Sequence, residues 1–143
     1  MRTYNEALAH SKKNPTELVE FREQYDINAS VCCGFLLNEE REGIVEHFNS
    51  EKLVQRDIYN SKSSLSEHLR FWPNSTIRWH YFNKNNIMHG EYIRFDISGV
   101  VRTHQFYASC TLIEELKYLL NQPRDDAFYF TLAMYGIDKE YTF

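Results

Sequence analysis

The sequence predicts an α+β fold in which a single antiparallel β-meander of about seven strands carries helices at both termini, packed on one face of the sheet. Two observations lead to this prediction. Similar short segments end on Phe48, Phe71 and Phe95, so a motif recurs roughly every 24 residues. Aromatic residues make up 15% of the chain, and aromatic side chains favour the half-buried surface of a sheet.

The chain of 143 residues is the size of one domain. Residues 1–30 are predicted to be an N-terminal helical segment, residues 31–110 the repeat sheet and residues 111–143 a C-terminal helical segment. A repeat of this length is one supersecondary unit, which buries its apolar side chains only by stacking on its neighbours.

Two helices are predicted before the sheet. Residues 3–12 are predicted to form the first. The second would cover residues 15–25, with Asn14 as its N-cap and Pro15 at its first position. Its apolar stripe would consist of residues at helical spacing, namely Leu18, Phe21 and Tyr25.

The sheet is predicted to begin with a short apolar strand at 31–37 that pairs with residues 43–48. The connections between later segments are short and rich in Asn, Ser, Gly and Pro, which favour turns. Strands joined by so few residues must be antiparallel neighbours. The repeat strands are expected near 43–48, 53–59, 66–71, 76–82, 90–96 and 100–107.

The C-terminal segment contains two further helix signals. Thr111 and Glu114 form a capping-box pattern that would open a helix at 112–120. A second helix would start at Asp125 and Asp126. Its apolar face would consist of Phe128, Leu132 and Tyr135, and Gly136 would be its C-cap. An aromatic strand at 127–131 is the alternative for this stretch. The tail at 141–143 is apolar enough to pack against the domain.

Composition limits the possible functions. The net charge is −4, and the repeat region is mildly basic between acidic flanks, too weakly basic for a dedicated nucleic-acid binder. The sequence has neither an apolar run long enough to span a bilayer nor an apolar leader at its start. We therefore expect a cytoplasmic protein whose three cysteines are reduced, namely Cys32, Cys33 and Cys110.

Alternation along the strands places basic and aromatic residues in rows. Aligning the repeats gives the rows Val54/Arg78/Arg102, Arg56/His80/His104 and Ile58/Phe82/Phe106 on one face. Such rows are either solvated surface or a docking face for an acidic partner, since interfaces favour Trp, Tyr and Arg. The candidate partner-binding residues are Arg56, Trp72, Arg78, Trp79, His80, Tyr81, Arg102 and His104.

The repeats resemble MORN-variant repeats. Two stretches of the sequence show the pattern. The first consists of residues 72–77, 81–86 and 89–92, and the second of residues 95–100 and 106–107. The turn glycine of the pattern is present at Gly99 and is replaced by Ser75 and Lys52. The resemblance implies an antiparallel meander that acts as a scaffold for protein or lipid contacts. Bacterial proteins with the variant repeat are often labelled antitoxins of toxin–antitoxin pairs.

Three classes of function follow from these patterns. The first is a non-enzymatic protein-binding module, such as an antitoxin or a phage counter-defence inhibitor, with no cofactor or metal. The second binds a nucleotide, a nucleic acid or an anionic lipid headgroup through the Arg/His stripe. The third transforms phosphates with His80 and His104 placed side by side, although the repeat itself accounts for both histidines. Exposed edge strands also allow a homodimer.

Overall fold

The computed structural model describes residues 1–25 and 30–143. Helix α1 (Tyr4–Lys13) precedes the sheet, and helix α2 (Asp126–Met134) follows it between two 3-10 helices, η1 (Glu114–Asn121) and η2 (Lys139–Tyr141). The strands in the described ranges are β1 (Leu18–Gln24), β2 (Ser30–Leu37), β3 (Glu40–Arg41), β4 (Gly43–Asn49), β5 (Lys52–Asn60), β6 (Leu65–Phe71), β7 (Ile77–Lys84), β8 (Ile87–Phe95), β9 (Val101–Ala108) and β10 (Thr111–Leu112).

All ten of these strands belong to one antiparallel sheet. Its order is β1-β2-β4-β5-β6-β7-β8-β9-β10, with β3 paired to the end of β2. Neighbours in the sheet are therefore almost always neighbours in the chain, which confirms the predicted α+β meander and each predicted strand. The prediction of about seven strands was too low because it missed β1 and the two-residue strands β3 and β10.

The predicted second helix at 15–25 is wrong. Leu18–Gln24 forms edge strand β1, in which Val19 and Phe21 are buried while Leu18 and Glu20 are exposed. This alternation has the period of a strand, and pairing with β2 buries it. Asn14 ends helix α1 instead of starting a second helix. Residues 26–29 of the predicted N-terminal segment lie outside the described residues.

Helix α1 confirms the first predicted helix. Thr3 caps it by accepting a hydrogen bond from the backbone N–H of Glu6, whose carboxylate accepts from the N–H of Thr3 in return. This reciprocal pair satisfies two N–H groups that an uncapped helix start leaves unpaired.

The hairpin turns use left-handed residues at fixed positions. Ser75 has φ +70° and Gly99 has φ +88°. The N–H of Ser75 donates to the carbonyl of Trp72, and the N–H of Gly99 donates to the carbonyl of Asp96, three residues earlier in each case. Two turns one repeat apart thus have the same geometry, in which serine replaces the glycine. In the preceding turn the left-handed residues are Ser50 and Glu51, not Lys52 as the repeat alignment suggested.

The C-terminal segment corrects one prediction and decides another. Thr111 belongs to β10, so no side chain caps η1, and the predicted capping box and helix at 112–120 are replaced by a short strand and a 3-10 helix. Residues 126–134 form a helix and not a strand, because Asp125 caps α2 by accepting from the N–H of Phe128. Phe128 and Leu132 are buried as predicted, whereas Tyr135 lies beyond the helix end and is exposed.

The strand register defines two faces of the sheet. The back face, as we name it, contains the row Ile44–Ile58–Glu67–Phe82 on β4 to β7. It also contains the pair Glu91 and Phe106 on β8 and β9. We call the front face the one that contains the row Val45–Asp57–His68–Tyr81–Tyr92–Gln105. Adjacent residues of a strand point to opposite faces, so each row is separate from the other.

The terminal helices pack on opposite faces, so the prediction that both pack on one face is wrong. Helix α1 covers the front face of β1 and β2, where Ala7 packs with Phe21 and Val45. The C-terminal segment covers the back face of β7 to β9, where Phe82 and Phe106 form a core with Leu116, Leu119, Phe128, Leu132, Ile137 and Tyr141. Among residues 1–25 and 30–143, no helix covers the front face of β6 to β9 or the back face of β1 to β4, and we call these surfaces open.

Candidate functional site: the open front face

A continuous series of rings lines the front face, from the buried His68 to the half-buried Tyr81, Tyr92 and Tyr107. His68 stacks on Tyr81 with 5.0 Å between ring centroids, and Tyr81 lies 6.1 Å from Tyr92. Tyr92 in turn meets the edge of Tyr107 at 5.9 Å. Direct cross-strand pairing of His68, Tyr81 and Tyr92 brings these rings together. The face is therefore lined with rings at its centre, although none of the helices in the described ranges covers it.

A tryptophan–arginine cluster extends this face at one end of the strands. The guanidinium of Arg78 lies 4.3 Å from the ring of Trp72 and 4.1 Å from that of Trp79, within the range of cation–π attraction. Arg70 and Arg94 are the cross-strand neighbours of Trp79, and both are exposed. Trp72 is fixed by its indole N–H, which donates to the carbonyl of Phe95 at 3.2 Å.

The electrostatics of the front face follow from the placement of its carboxylates. Strands β5 to β9 contain three carboxylates, of which Glu67 and Glu91 point to the back face. The third, Asp57, is only 1% exposed and is paired with histidines. The exposed charges on the front face of β6 to β9 are thus the guanidiniums of Arg70 and Arg94. This surface is cationic on a protein of net charge −4.

Asp57 is the centre of a buried polar network. Its carboxylate oxygens contact His68 Nδ1 at 2.6 Å and His47 Nε2 at 3.2 Å, and Gln55 Nε2 donates to both. Burial raises the pKa of Asp57, but the hydrogen bonds from His47, His68 and Gln55 lower it by a larger amount. The pKa of Asp57 is therefore well below its usual range. Hydrogen bonds with Asp57 and Cys32 raise the pKa of His47 to about 9.

The predicted partner-binding residues divide between the two faces. Trp79 and Tyr81 lie on the front face, with Trp72 and Arg78 packed beside Trp79. The other four are engaged elsewhere by internal contacts: Arg56 pairs with Glu46, Arg102 with Asp96, His104 with Glu91, and His80 lies 3.6 Å from Glu67. The predicted Arg/His stripe is therefore not one free surface.

The histidine pair predicted for phosphate chemistry does not form. His80 and His104 are both opposite Ile93, on either side of β8, so one whole strand separates them. The ring of Phe143 also lies over His80, with 4.0 Å between centroids. The prediction failed because the alignment compared the second strands of the repeats with one another and left out the first strands between them.

A second buried carboxylate holds the C-terminus against the back face. Glu91 accepts hydrogen bonds from Arg124 Nη1 at 2.8 Å, from the N–H of Phe143 at 2.9 Å and from His104. Burial raises the pKa of Glu91, but Arg124, His104 and the Phe143 N–H lower it more, to about 2. We call this group the Glu91 clamp, formed by Glu91, His104, Arg124 and Phe143.

The sequence analysis missed both buried networks. Asp57 and Glu91 have no local motif, and apart from Gln55 their partners are 10 to 52 residues away along the chain. One signal was available: Ser66 and His68 are two residues apart in a predicted strand, so their side chains share a face. That Asp57 lies beside them depends on the register of β5 and β6.

Comparison of the chain with protein-family models, curated proteins and solved structures finds no match. Within the described ranges, none of the helices has the length and apolar character needed to cross a membrane.

Proposed function

We propose that this protein is a binding module that docks a partner protein with an acidic surface on the open front face of β6 to β9. One observation carries the proposal: a face with half-buried tryptophan and tyrosine rings is bordered by the exposed Arg70 and Arg94, and strands β6 to β9 present no free carboxylate on it. Trp, Tyr and Arg are the residues that contribute most to protein interfaces. Complementary charge would favour and orient an acidic partner.

The arrangement of the rings favours a protein over a single-stranded nucleic acid. Tyr92 and Tyr107 meet edge to face at 75°, and Tyr81 and Tyr92 are tilted by 38°. Nucleic-acid bases stack on exposed ring faces, whereas these rings are half-buried against one another. An anionic ligand is the second candidate because Arg70 and Arg94 flank the rings.

The biological role that we propose is that of an antitoxin or a phage counter-defence inhibitor acting in the cytoplasm. The resemblance of the repeats to MORN-variant sequences supports this role, because proteins of that type serve as scaffolds for protein contacts. A rigid sheet face suits such an inhibitor, since a preformed surface loses little conformational entropy on binding.

The experiment compares variants of the two open surfaces. The tagged protein is purified from the cell that produces it, and stoichiometric partners are identified by mass spectrometry. Trp79→Ser with Arg94→Glu alters the front face, while Ile44→Ser is the matched control on the open back face, where Ile44 is exposed. We expect the control to retain the partner and the front-face variant to lose it.

Four results would count against the proposal. The first is that the partner stays bound to the Trp79→Ser/Arg94→Glu variant, and the second is that it is lost only with Ile44→Ser. The third is that no stoichiometric protein is recovered. The fourth is that nucleic acid co-purifies instead, with an affinity that falls steeply as salt increases, and this would establish the anionic-ligand candidate.

A further inference from the structure

Ser66, His68 and Asp57 are joined in the hydrogen-bond order of a serine hydrolase triad. Ser66 Oγ lies 2.8 Å from His68 Nε2, and His68 Nδ1 lies 2.6 Å from Asp57 Oδ1. Ser66 and His68 are two residues apart on β6 and share its front face, while Asp57 lies directly opposite His68 on β5. Regular pairing of two strands therefore places all three groups.

The surroundings of Asp57 fix the direction of each hydrogen bond. An ionised carboxylate only accepts, so His68 Nδ1 must carry the proton that it shares with Asp57. His47 supplies a positive charge beside the other oxygen of Asp57. In the neutral tautomer that carries this Nδ1 proton, Nε2 is an acceptor, and it lies 2.8 Å from Ser66 Oγ, whose O–H can donate to it. This arrangement poises His68 to take the proton of Ser66.

The position of the imidazole is held by packing as well as by hydrogen bonds. The ring of His68 is stacked on Tyr81 at an interplanar angle of 21° and meets the edge of Tyr59 at 86°. His68 is 8% exposed and Asp57 is 1% exposed. A general base works efficiently only when its orientation is fixed in this way.

Ser66 also lines an open pocket beside helix α1. The pocket has a volume of about 570 Å³, and its wall includes Tyr4, Arg41 and Tyr59. Arg41, Asn60, Asn85 and Asn86 line the same pocket and bring hydrogen-bond donors to it, while Glu40 is its acidic residue. Because Ser66 itself is only 4% exposed, the proposal is restricted to small acyl groups.

We propose that Ser66 is a nucleophile that hydrolyses small, unhindered carboxylic esters, with His68 as general base and Asp57 as the residue that positions it. Ser66 Oγ bonds to the ester carbonyl carbon as its proton passes to His68 Nε2. The bond to the alcohol then breaks, and His68 returns the proton to the leaving oxygen. Water, deprotonated by the same Nε2, then attacks the acyl carbon. The bond from that carbon to Ser66 Oγ breaks, Nε2 returns the proton to Oγ, and the carboxylic acid leaves. This activity goes beyond the docking function and does not depend on it.

The test uses two small probes on the purified full-length chain. An attacking serine oxygen displaces fluoride from methanesulfonyl fluoride and stays bonded to the sulfonyl group. Intact-mass spectrometry detects this adduct, and peptide mapping locates the modified residue. p-Nitrophenyl acetate reports acylation as a burst of nitrophenol. We expect one adduct on Ser66, a burst of about one equivalent, and slower labelling at acidic pH, where a histidine base is protonated.

Variants separate the triad from a hydrogen-bond network with a purely structural role. Ser66→Ala should remove the adduct and the burst while the far-UV spectrum stays unchanged. Ser64→Ala is the matched control, because Ser64 is an exposed serine that lines the same pocket. Asp57→Asn should slow labelling by at least about 100-fold, and His68→Gln replaces it as the test if Asp57→Asn does not fold.

The proposal is overturned if the folded protein gives neither adduct nor burst, because both probes are small enough for the pocket. It is also overturned if labelling persists in Ser66→Ala, or if a folded Asp57→Asn or His68→Gln variant reacts at the wild-type rate. In those cases Ser66, His68 and Asp57 satisfy one another's hydrogen bonds and nothing more.

Discussion

Replacing Glu91 with glutamine tests how much the buried clamp contributes to stability. Glu91 is 1% exposed and forms an ion pair with Arg124 through two of its guanidinium nitrogens. Glutamine keeps the shape of the side chain and removes its charge. The guanidinium of Arg124 and the N–H of Phe143 would then face a neutral amide, and the C-terminal segment would lose its main polar attachment to β8.

The magnitude follows from the pKa of Glu91. A folded-state pKa of about 2, against an ordinary value of 4.5, corresponds to roughly 3 kcal/mol of stability at neutral pH. Removing one partner of a buried ion pair costs about 3–5 kcal/mol, which agrees with this figure. For a chain of this length the melting temperature should fall by about 6–15 °C.

The sign of the pH dependence is fixed by the direction of the shift. Because the folded-state pKa is lowered, the contribution of Glu91 is complete above the unfolded value of 4.5 and is lost as pH falls toward 2. Urea unfolding followed by circular dichroism at pH 7, 5 and 3 measures it. Wild type should lose stability over this range more steeply than Glu91→Gln, so the two curves should converge at low pH.

Glu67→Gln is the matched control for this experiment. Glu67 lies in the same row of the back face, but its side chain is 27% exposed and its contact with His80 is 3.6 Å long. We expect a change below about 1 kcal/mol. The reasoning is refuted if Glu91→Gln unfolds at the wild-type urea midpoint at pH 7, or if the difference between the two proteins persists unchanged at pH 3.

Four further substitutions test packing and the buried charge pair by the same unfolding measurement. Gly90→Ala should lower the free energy of unfolding by more than about 3 kcal/mol, because the added Cβ would lie 2.4 Å from the carbonyl oxygen of Tyr141 at a φ of +107°. Gly99→Ala is the control, since Gly99 has φ +88° with open space around it, and it should cost only about 1 kcal/mol. Equal losses of stability in the two variants would contradict the contact with Tyr141. Leu132→Ala should cost about 2–5 kcal/mol because this residue is fully buried. Asp57→Asn should cost about 3–5 kcal/mol by leaving the protonated histidine beside it unpaired; a change below 1 kcal/mol in either would contradict the assigned burial.

Local sequence patterns predicted most of the sheet because strands and tight turns have local signals. Alternating apolar residues and short Asn- and Gly-containing connections located β2 and β4 to β9. Strand β1 was missed because Leu18, Phe21 and Tyr25 also fit a helical stripe. Whether Val19 and Phe21 point to the same side is decided by the pairing of β1 with β2, which is a tertiary contact.

The candidate site was predictable only in part for the same reason. Trp79 and Tyr81 share a face because they are two residues apart on β7, and local alternation alone indicates this. The positions of His80 and His104 depend on β8, which lies between their strands. Bulges in the pairing of β7 and β8 also alter the register, so the repeat alignment could not place residues from different strands opposite each other.

The sequence by itself determined the antiparallel meander, its turns and the aromatic and basic composition of the strands, because these depend on backbone preferences and on the two-residue period. Only the tertiary structure decided that the terminal helices cover opposite faces and leave the front face of β6 to β9 open. It alone also placed Asp57 against His68 and Glu91 against Arg124. Burial of a charge requires a partner, and for both carboxylates that partner comes from a distant part of the chain.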